Sequence, residues 1–93
     1  MSKSTSPKKR RVYFKLVAPE AGEVFLVGTF NNWDPKGRPL KRGKAGLWRT
    51  FMSLEPGTYE YRFVVDGLWH NDPGARAVPN PYGGLNCCVE VLP

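Results

Sequence analysis

Three aromatic residues stand outside the apolar periodicity of this chain. Trp33 sits in the polar stretch Asn31-Asn32-Trp33-Asp34-Pro35-Lys36-Gly37, Trp69 follows Asp66-Gly67-Leu68, and Tyr82 lies in Pro81-Tyr82-Gly83-Gly84. A large ring in a turn either folds back to cap the end of a core or stays open as a stacking platform. Capping accounts for each ring singly. Three together, with Arg62 and Asn86 on apolar stretches nearby, shift the weight toward a shared binding surface. Flat rings suit a ligand with an apolar face and a polar rim, and a pyranose is one. The Arg62 guanidinium offers a fixed fork of donors to hydroxyls, and the Asn86 amide both donates and accepts. Nucleic-acid bases also stack on such rings, but that ligand needs a positive groove along its phosphates.

Catalytic constellations are missing from the pattern. His70 is the one histidine and has no nucleophile beside it. Asp34, Asp66 and Asp72 adjoin Gly, Pro or Trp in turn-like settings, where bonding to the local backbone explains them. Glycoside hydrolysis requires two carboxylates across a cleft. Neither a phosphate-binding glycine loop nor a metal-ligand spacing occurs, so neither cofactor nor metal is implied. Cys87 and Cys88 are adjacent, and an extended strand cannot hold the strained ring that would join them. They read as thiols packed as small hydrophobes in a reducing cytoplasm.

The elements that must position these residues centre on Tyr59-Glu60-Tyr61-Arg62-Phe63-Val64-Val65. Tyr59, Tyr61, Phe63 and Val65 alternate with Glu60, Arg62 and Val64, the period of a strand with one buried face. Arg62 therefore leaves on the outer side. Asp66-Gly67 supplies the two positive-φ positions of a tight hairpin. Val12 to Val17 reads as a first strand with Val12, Phe14 and Leu16 inward, and Glu23 to Phe30 as a second. Gly28 inside the second marks a bulge or a close approach. Arg38 to Leu40 is a short edge, and Lys41 to Gly46 a basic turn. Leu47 to Leu54 is a strand with Trp48, Thr50, Met52 and Leu54 on one face. Asn71 to Gly84 reads as one long loop, and Asn86 to Leu92 as the closing strand. No helix pattern and no repeat is found. Six to eight short strands with turns between them predict an all-β chain, an immunoglobulin-like antiparallel β-sandwich.

Ninety-three residues, 41% of them hydrophobic, with ten Gly and nine Pro, suit one such domain. No apolar run is long enough to cross a membrane, and no hydrophobic stretch follows the N-terminal charges. The net charge of +6 is concentrated at the N-terminus. Lys3, Lys8, Lys9, Arg10 and Arg11 are five of the fourteen cations, which leaves nine against eight acidic residues over 12–93. Residues 1–11 are expected to be a disordered basic arm and 12–93 the folded module. Ser6-Pro7-Lys8-Lys9-Arg10-Arg11 resembles a nuclear-import or polyanion-binding patch, although such runs are common in solvated tails. A nearly neutral folded part speaks against a nucleic-acid partner.

The run Val24-Phe25-Leu26-Val27-Gly28-Thr29-Phe30-Asn31-Asn32-Trp33, then Leu54-Glu55-Pro56-Gly57, Tyr59 to Trp69, Asp72-Pro73 and Asn86, closely resembles the family 48 carbohydrate-binding modules. These are the early-set immunoglobulin-like domains of the AMP-activated protein kinase beta subunit and of glycogen branching enzymes, isoamylases and pullulanases. The resemblance covers 12–92. It implies non-catalytic binding of α-1,4-linked glucans such as glycogen, starch, maltooligosaccharides and β-cyclodextrin, with a glucan-active enzyme or a kinase-like protein as a possible docking partner. Trp33 and Trp69 match the two stacking tryptophans of the family and Asn86 its hydroxyl-binding asparagine. Arg62 stands where a lysine is usual, Tyr82 where the kinase modules have leucine, and Gly84 where they have threonine.

Overall fold

The computed structural model describes residues 9–93. Among the described residues nine strands form two antiparallel sheets: β1 (Arg10–Val17), β2 (Val24–Gly28), β3 (Arg38–Pro39), β4 (Lys41–Arg42), β5 (Leu47–Leu54), β6 (Gly57–Val65), β7 (Leu68–His70), β8 (Arg76–Pro79) and β9 (Leu85–Val91). The smaller sheet has the order β1-β5-β4. The larger runs β3-β2-β6-β9-β8, with β7 also paired to β6. This is the two-sheet β-sandwich that the alternating strands predict.

The core forms where the inward rows of the two sheets meet. On β5, Trp48 and Leu54 are buried, and the Trp48 indole Nε1–H donates to the Ala18 carbonyl at 2.9 Å. Phe14 of β1 meets Tyr61 of β6 edge-on, with ring centroids 4.9 Å apart, and Phe63 lies beside Tyr61. Full burial of a ring such as Phe63 contributes about 1.5–3 kcal/mol. The Tyr61 hydroxyl donates to Asp72 Oδ2 at 2.9 Å; burial, reinforced by that carboxylate, holds the phenol protonated far above its ordinary range. Cys87 is buried in the same core and Cys88 lies on the opposite side of β9, and both thiols are free.

The hairpin between β6 and β7 has its two central residues at positive φ, Asp66 at 49° and Gly67 at 84°. Local bonding does not account for Asp66. Its carboxylate accepts the Gly22 and Glu23 backbone N–H groups, both at 2.9 Å, and ties the start of β2 to this hairpin from more than forty positions away. Gly28 marks a close approach. Its backbone is extended, but a Cβ there would fall 2.5 Å from the Glu60 carbonyl oxygen.

Several boundaries differ from the sequence reading, each for a local reason. β1 begins at Arg10, because Arg10 and Arg11 pair with Leu54 and Ser53 of the longer β5. The expected arm therefore loses its last two residues to the sheet, and residues 1–8 lie outside the described residues. The second strand stops at Gly28, and Thr29–Asn31 forms a single 3-10 turn. Part of the expected basic turn is β4, followed by a second 3-10 turn at Lys44–Gly46. The Asn71 to Gly84 loop contains β8, which pairs with β9 through Arg76↔Cys88 to Pro79↔Leu85. As an edge strand, β8 tolerates Pro79. These short edges bring the strand count to nine. The outer face of the large sheet also breaks the simple alternation. Val64, flanked cross-strand by Phe25 and Trp69, and Val27, beside Arg62, are buried there.

Candidate functional site

The outer face of the large sheet carries the five residues singled out above. Trp33 is aimed by the turn that follows β2. Asn31 clamps this turn to the strand: its Nδ2 donates to the Leu26 carbonyl at 3.1 Å and its Oδ1 accepts the Gly28 N–H at 3.0 Å. Asn32 then enters the left-handed region (φ 58°, ψ 32°), which asparagine tolerates, and Trp33 follows at φ 58°. Positive φ costs a bulky residue about 1–2 kcal/mol. The backbone holds it there through the Trp33 N–H, which donates to the Gly28 carbonyl at 3.0 Å. Strain of this kind collects where a side chain must point in a set direction. Trp33 is half-buried as a result.

Arg62 occupies a fork in the sheet. Up to Tyr61, β6 pairs with β9; from Phe63 it pairs with β7 instead. Asn71 bridges the gap: Arg62 Nε–H donates to its Oδ1 at 2.6 Å, and its Nδ2 donates to the Leu85 carbonyl at 3.1 Å. The guanidinium carbon lies 5.6 Å from the centre of the Trp69 ring, a cation–π contact that steadies an indole still 43% exposed.

Tyr82 projects from the tip of the β8–β9 hairpin and is 93% exposed. Asn80 organises that tip. Its Oδ1 accepts the N–H groups of Tyr82 (2.9 Å) and Gly84 (3.0 Å), and its Nδ2 donates to Asn86 Oδ1 at 3.2 Å. Asn86 Nδ2 in turn donates to Glu60 Oε1 at 3.0 Å. A chain of hydrogen bonds thus runs from the Glu60 carboxylate to the Tyr82 loop. Asn86, at 7% exposure, lies in the floor with both ends of its amide already engaged.

Trp33, Arg62, Trp69, Tyr82 and Asn86 all line one concave surface of about 550 Å³, together with Thr29, Glu60, Asn80 and Pro81. Glu60 was legible as a candidate, since it sits two positions before Arg62 on the same strand face. Asn80 and Asn71 gave no periodic signal, and only the folded hairpins bring them here. His70 is exposed on β7. Asp34 and Asp72 close local turns onto Lys36 N–H and Gly74 N–H. Among the described residues, no three His, Cys, Asp or Glu side chains are arranged to hold a metal ion, and no helix is long and apolar enough to cross a membrane.

The basin is floored by polar side chains and flanked by indole and phenol rings, so it offers both stacking faces and hydrogen-bonding groups. Residues 13–93 match the family described as the glycogen recognition site of AMP-activated protein kinase. The chain belongs to this family. It is similar to the chloroplastic rice protein FLOURY ENDOSPERM 6 (Oryza sativa subsp. japonica), 41% identical over 71 residues, 76% of this chain and 13% of the rice protein. The chloroplastic Arabidopsis thaliana PTST homolog 2 is 42% identical over 53 residues, 57% of this chain and 10% of that protein. The pig (Sus scrofa) 5'-AMP-activated protein kinase subunit beta-1 is 36% identical over 69 residues, 74% of this chain and 54% of the subunit. The chain thus spans about half or less of the length of these relatives. As a glycogen-recognition module it falls within the carbohydrate-binding resemblance read from its residues.

Proposed function

We propose that the basin on the large sheet binds α-1,4-linked glucan chains without chemically altering them. Trp33 and Trp69 stack on glucose units, and Tyr82 packs against the ligand edge. Arg62 meets hydroxyls, and Asn86 meets them from the floor with the second amide hydrogen and second oxygen lone pair that its bonds to Glu60 and Asn80 do not use. Among the described residues only Nε of Arg62 is hydrogen-bonded, so its terminal nitrogens remain as donors. The observation that carries this reading is the convergence of all five side chains on one concavity. Open stacking and a few polar bonds, offset by ordering of a flexible polymer, correspond to affinities from roughly micromolar to millimolar. Glycogen, starch, maltooligosaccharides and β-cyclodextrin share the ligand chemistry. The free thiols fit a reducing compartment such as the cytoplasm.

Binding to a panel of soluble polysaccharides tests the proposal. Glycogen, amylopectin and β-cyclodextrin should bind, while a β-1,4-glucan and a dextran should not. Equal binding to all five, or to none, contradicts it. A second reading has the sandwich dock on a glucan-active enzyme or a kinase-like partner. The kinship to a protein named as a kinase subunit supports that reading. The two are compatible, because the basin occupies only one face of the sandwich.

A further inference from the structure

The small sheet differs in charge from the large one. Strands β1, β4 and β5 contain Arg10, Arg11, Lys15, Lys41, Arg42 and Arg49 and no acidic residue. In the large sheet, by contrast, Glu60 and Glu90 offset the cations. Near-neutrality over 12–93 conceals this segregation, and the basicity is not confined to the arm. The register sets Lys15, Arg49 and Lys41 side by side in one row across three strands. Like charges directly opposed on neighbouring strands are destabilising. Nothing else on these strands offsets the row. In the adjoining row Tyr13 and Phe51 pair with ring centroids 5.8 Å apart. A concave surface of about 530 Å³ opens there, lined in part by Tyr13, Phe51, Arg38, Lys41 and Arg49.

β1 is also the end of its sheet. Among the described residues no strand pairs with its outer edge, so every second residue of the eight presents an unpaired N–H and C=O there. Along that edge the outward side chains alternate Arg11, Tyr13, Lys15, Val17, and all four are exposed. Tyr13 and Val17 are 67% and 68% exposed. We propose that this edge receives an acidic, extended segment of a partner protein, added as a further strand with acidic side chains opposite Arg11 and Lys15 and apolar ones opposite Tyr13 and Val17. Strand addition draws affinity from main-chain hydrogen bonds and specificity from alternate side chains. A single-stranded nucleic acid fits less well. It has no N–H and C=O ladder to match the edge, and Phe51, its second stacking ring, is covered by the Arg11 guanidinium at 4.4 Å. The inference is independent of the glucan reading. It lets a partner dock on one sheet while the basin on the other stays open.

The test uses the full chain and the labelled peptide Glu-Thr-Val-Thr-Glu-Thr-Val in fluorescence anisotropy at low salt. Comparison probes are the same peptide with Lys for Glu, the same peptide with Pro for Thr, and a thymidine oligonucleotide. The acidic peptide should bind, and the Lys peptide and the Pro peptide should each bind about tenfold or more weakly. The variant carrying Lys15→Glu and Arg49→Glu should lose the acidic peptide to the same extent and keep its β-cyclodextrin affinity. Equal binding of the acidic and Pro peptides overturns strand addition. Tighter binding of the oligonucleotide makes the face a nucleic-acid surface and overturns the proposal, as does undiminished acidic-peptide binding by the variant. The peptide comparisons hold even if the variant folds poorly, and β-cyclodextrin binding reads the glucan basin separately.

Discussion

Replacing Trp69 by Ala separates a sugar platform from a structural cap. The indole keeps 43% of its surface open. For a side chain of roughly 250 Å² this is about 100 Å². A glucose ring covering between half and all of it gains about 1.3–2.5 kcal/mol at ~25 cal/mol per Å². The variant should therefore bind β-cyclodextrin about 10- to 70-fold more weakly, enough to abolish retention in a glycogen affinity gel. The loss to the fold has two parts: an exposed cation–π contact with Arg62, worth about 0.5–1 kcal/mol, and the covered part of the ring beside Val64, about 140 Å², worth up to about 3 kcal/mol against a compact unfolded chain. Each kcal/mol lowers the thermal midpoint of a domain this size by roughly 4–8 °C. Affinity electrophoresis and thermal unfolding of the same preparation read both quantities. Undiminished retention by the folded variant would show that the ring props the sheet and leaves the ligand alone.

Other perturbations test neighbouring parts of the argument. Gly28→Ala forces a Cβ to within 2.5 Å of the Glu60 carbonyl, and the two strands must part. Denaturant unfolding should show a loss of about 1–3 kcal/mol. Asn80→Ala removes the clamp on the Tyr82 hairpin but leaves the core alone. Glucan affinity should fall severalfold by titration calorimetry, with greater loss of protection from hydrogen exchange at residues 82–84 than elsewhere. Alkaline pH should destabilise the fold. Burial raises the Cys87 thiol above its ordinary value of 9.0 and Tyr61 well above its own, so the folded state keeps protons that the unfolded chain releases. Their contribution is complete below about pH 9 and declines as pH rises beyond it, so the denaturant midpoint should hold between about pH 7 and 8.5 and fall at about pH 10.5.

Where the chain carries a strict period, the sequence was informative. Leu47 to Leu54 is a strand with those bounds, because Trp48, Thr50, Met52 and Leu54 alternate without a breaker. Asp66-Gly67 is legible as a hairpin since few pairs tolerate two positive φ values in succession. The aromatic members of the basin stood out because they fall outside any inward row. Short edges were harder. β8 is four residues ending in Pro, and it forms only because β9 lies beside it. Arg10 and Arg11 carry no apolar signal, yet β5 is long enough to pair them. The polar network was least visible. Asn71 and Asn80 meet Arg62 and Asn86 through side-chain geometry that no spacing encodes, and the reach of Asp66 to Gly22 and Glu23 is of the same kind.

The most direct measurement follows the three indole N–H resonances while β-cyclodextrin is added to the labelled protein. Trp33 and Trp69 line the basin, whereas Trp48 is buried in the core and already donates to Ala18. The account predicts that the Trp33 and Trp69 signals shift together along one saturating curve and that the Trp48 signal stays in place. Movement of all three alike, or of neither basin indole at saturating ligand, would contradict it.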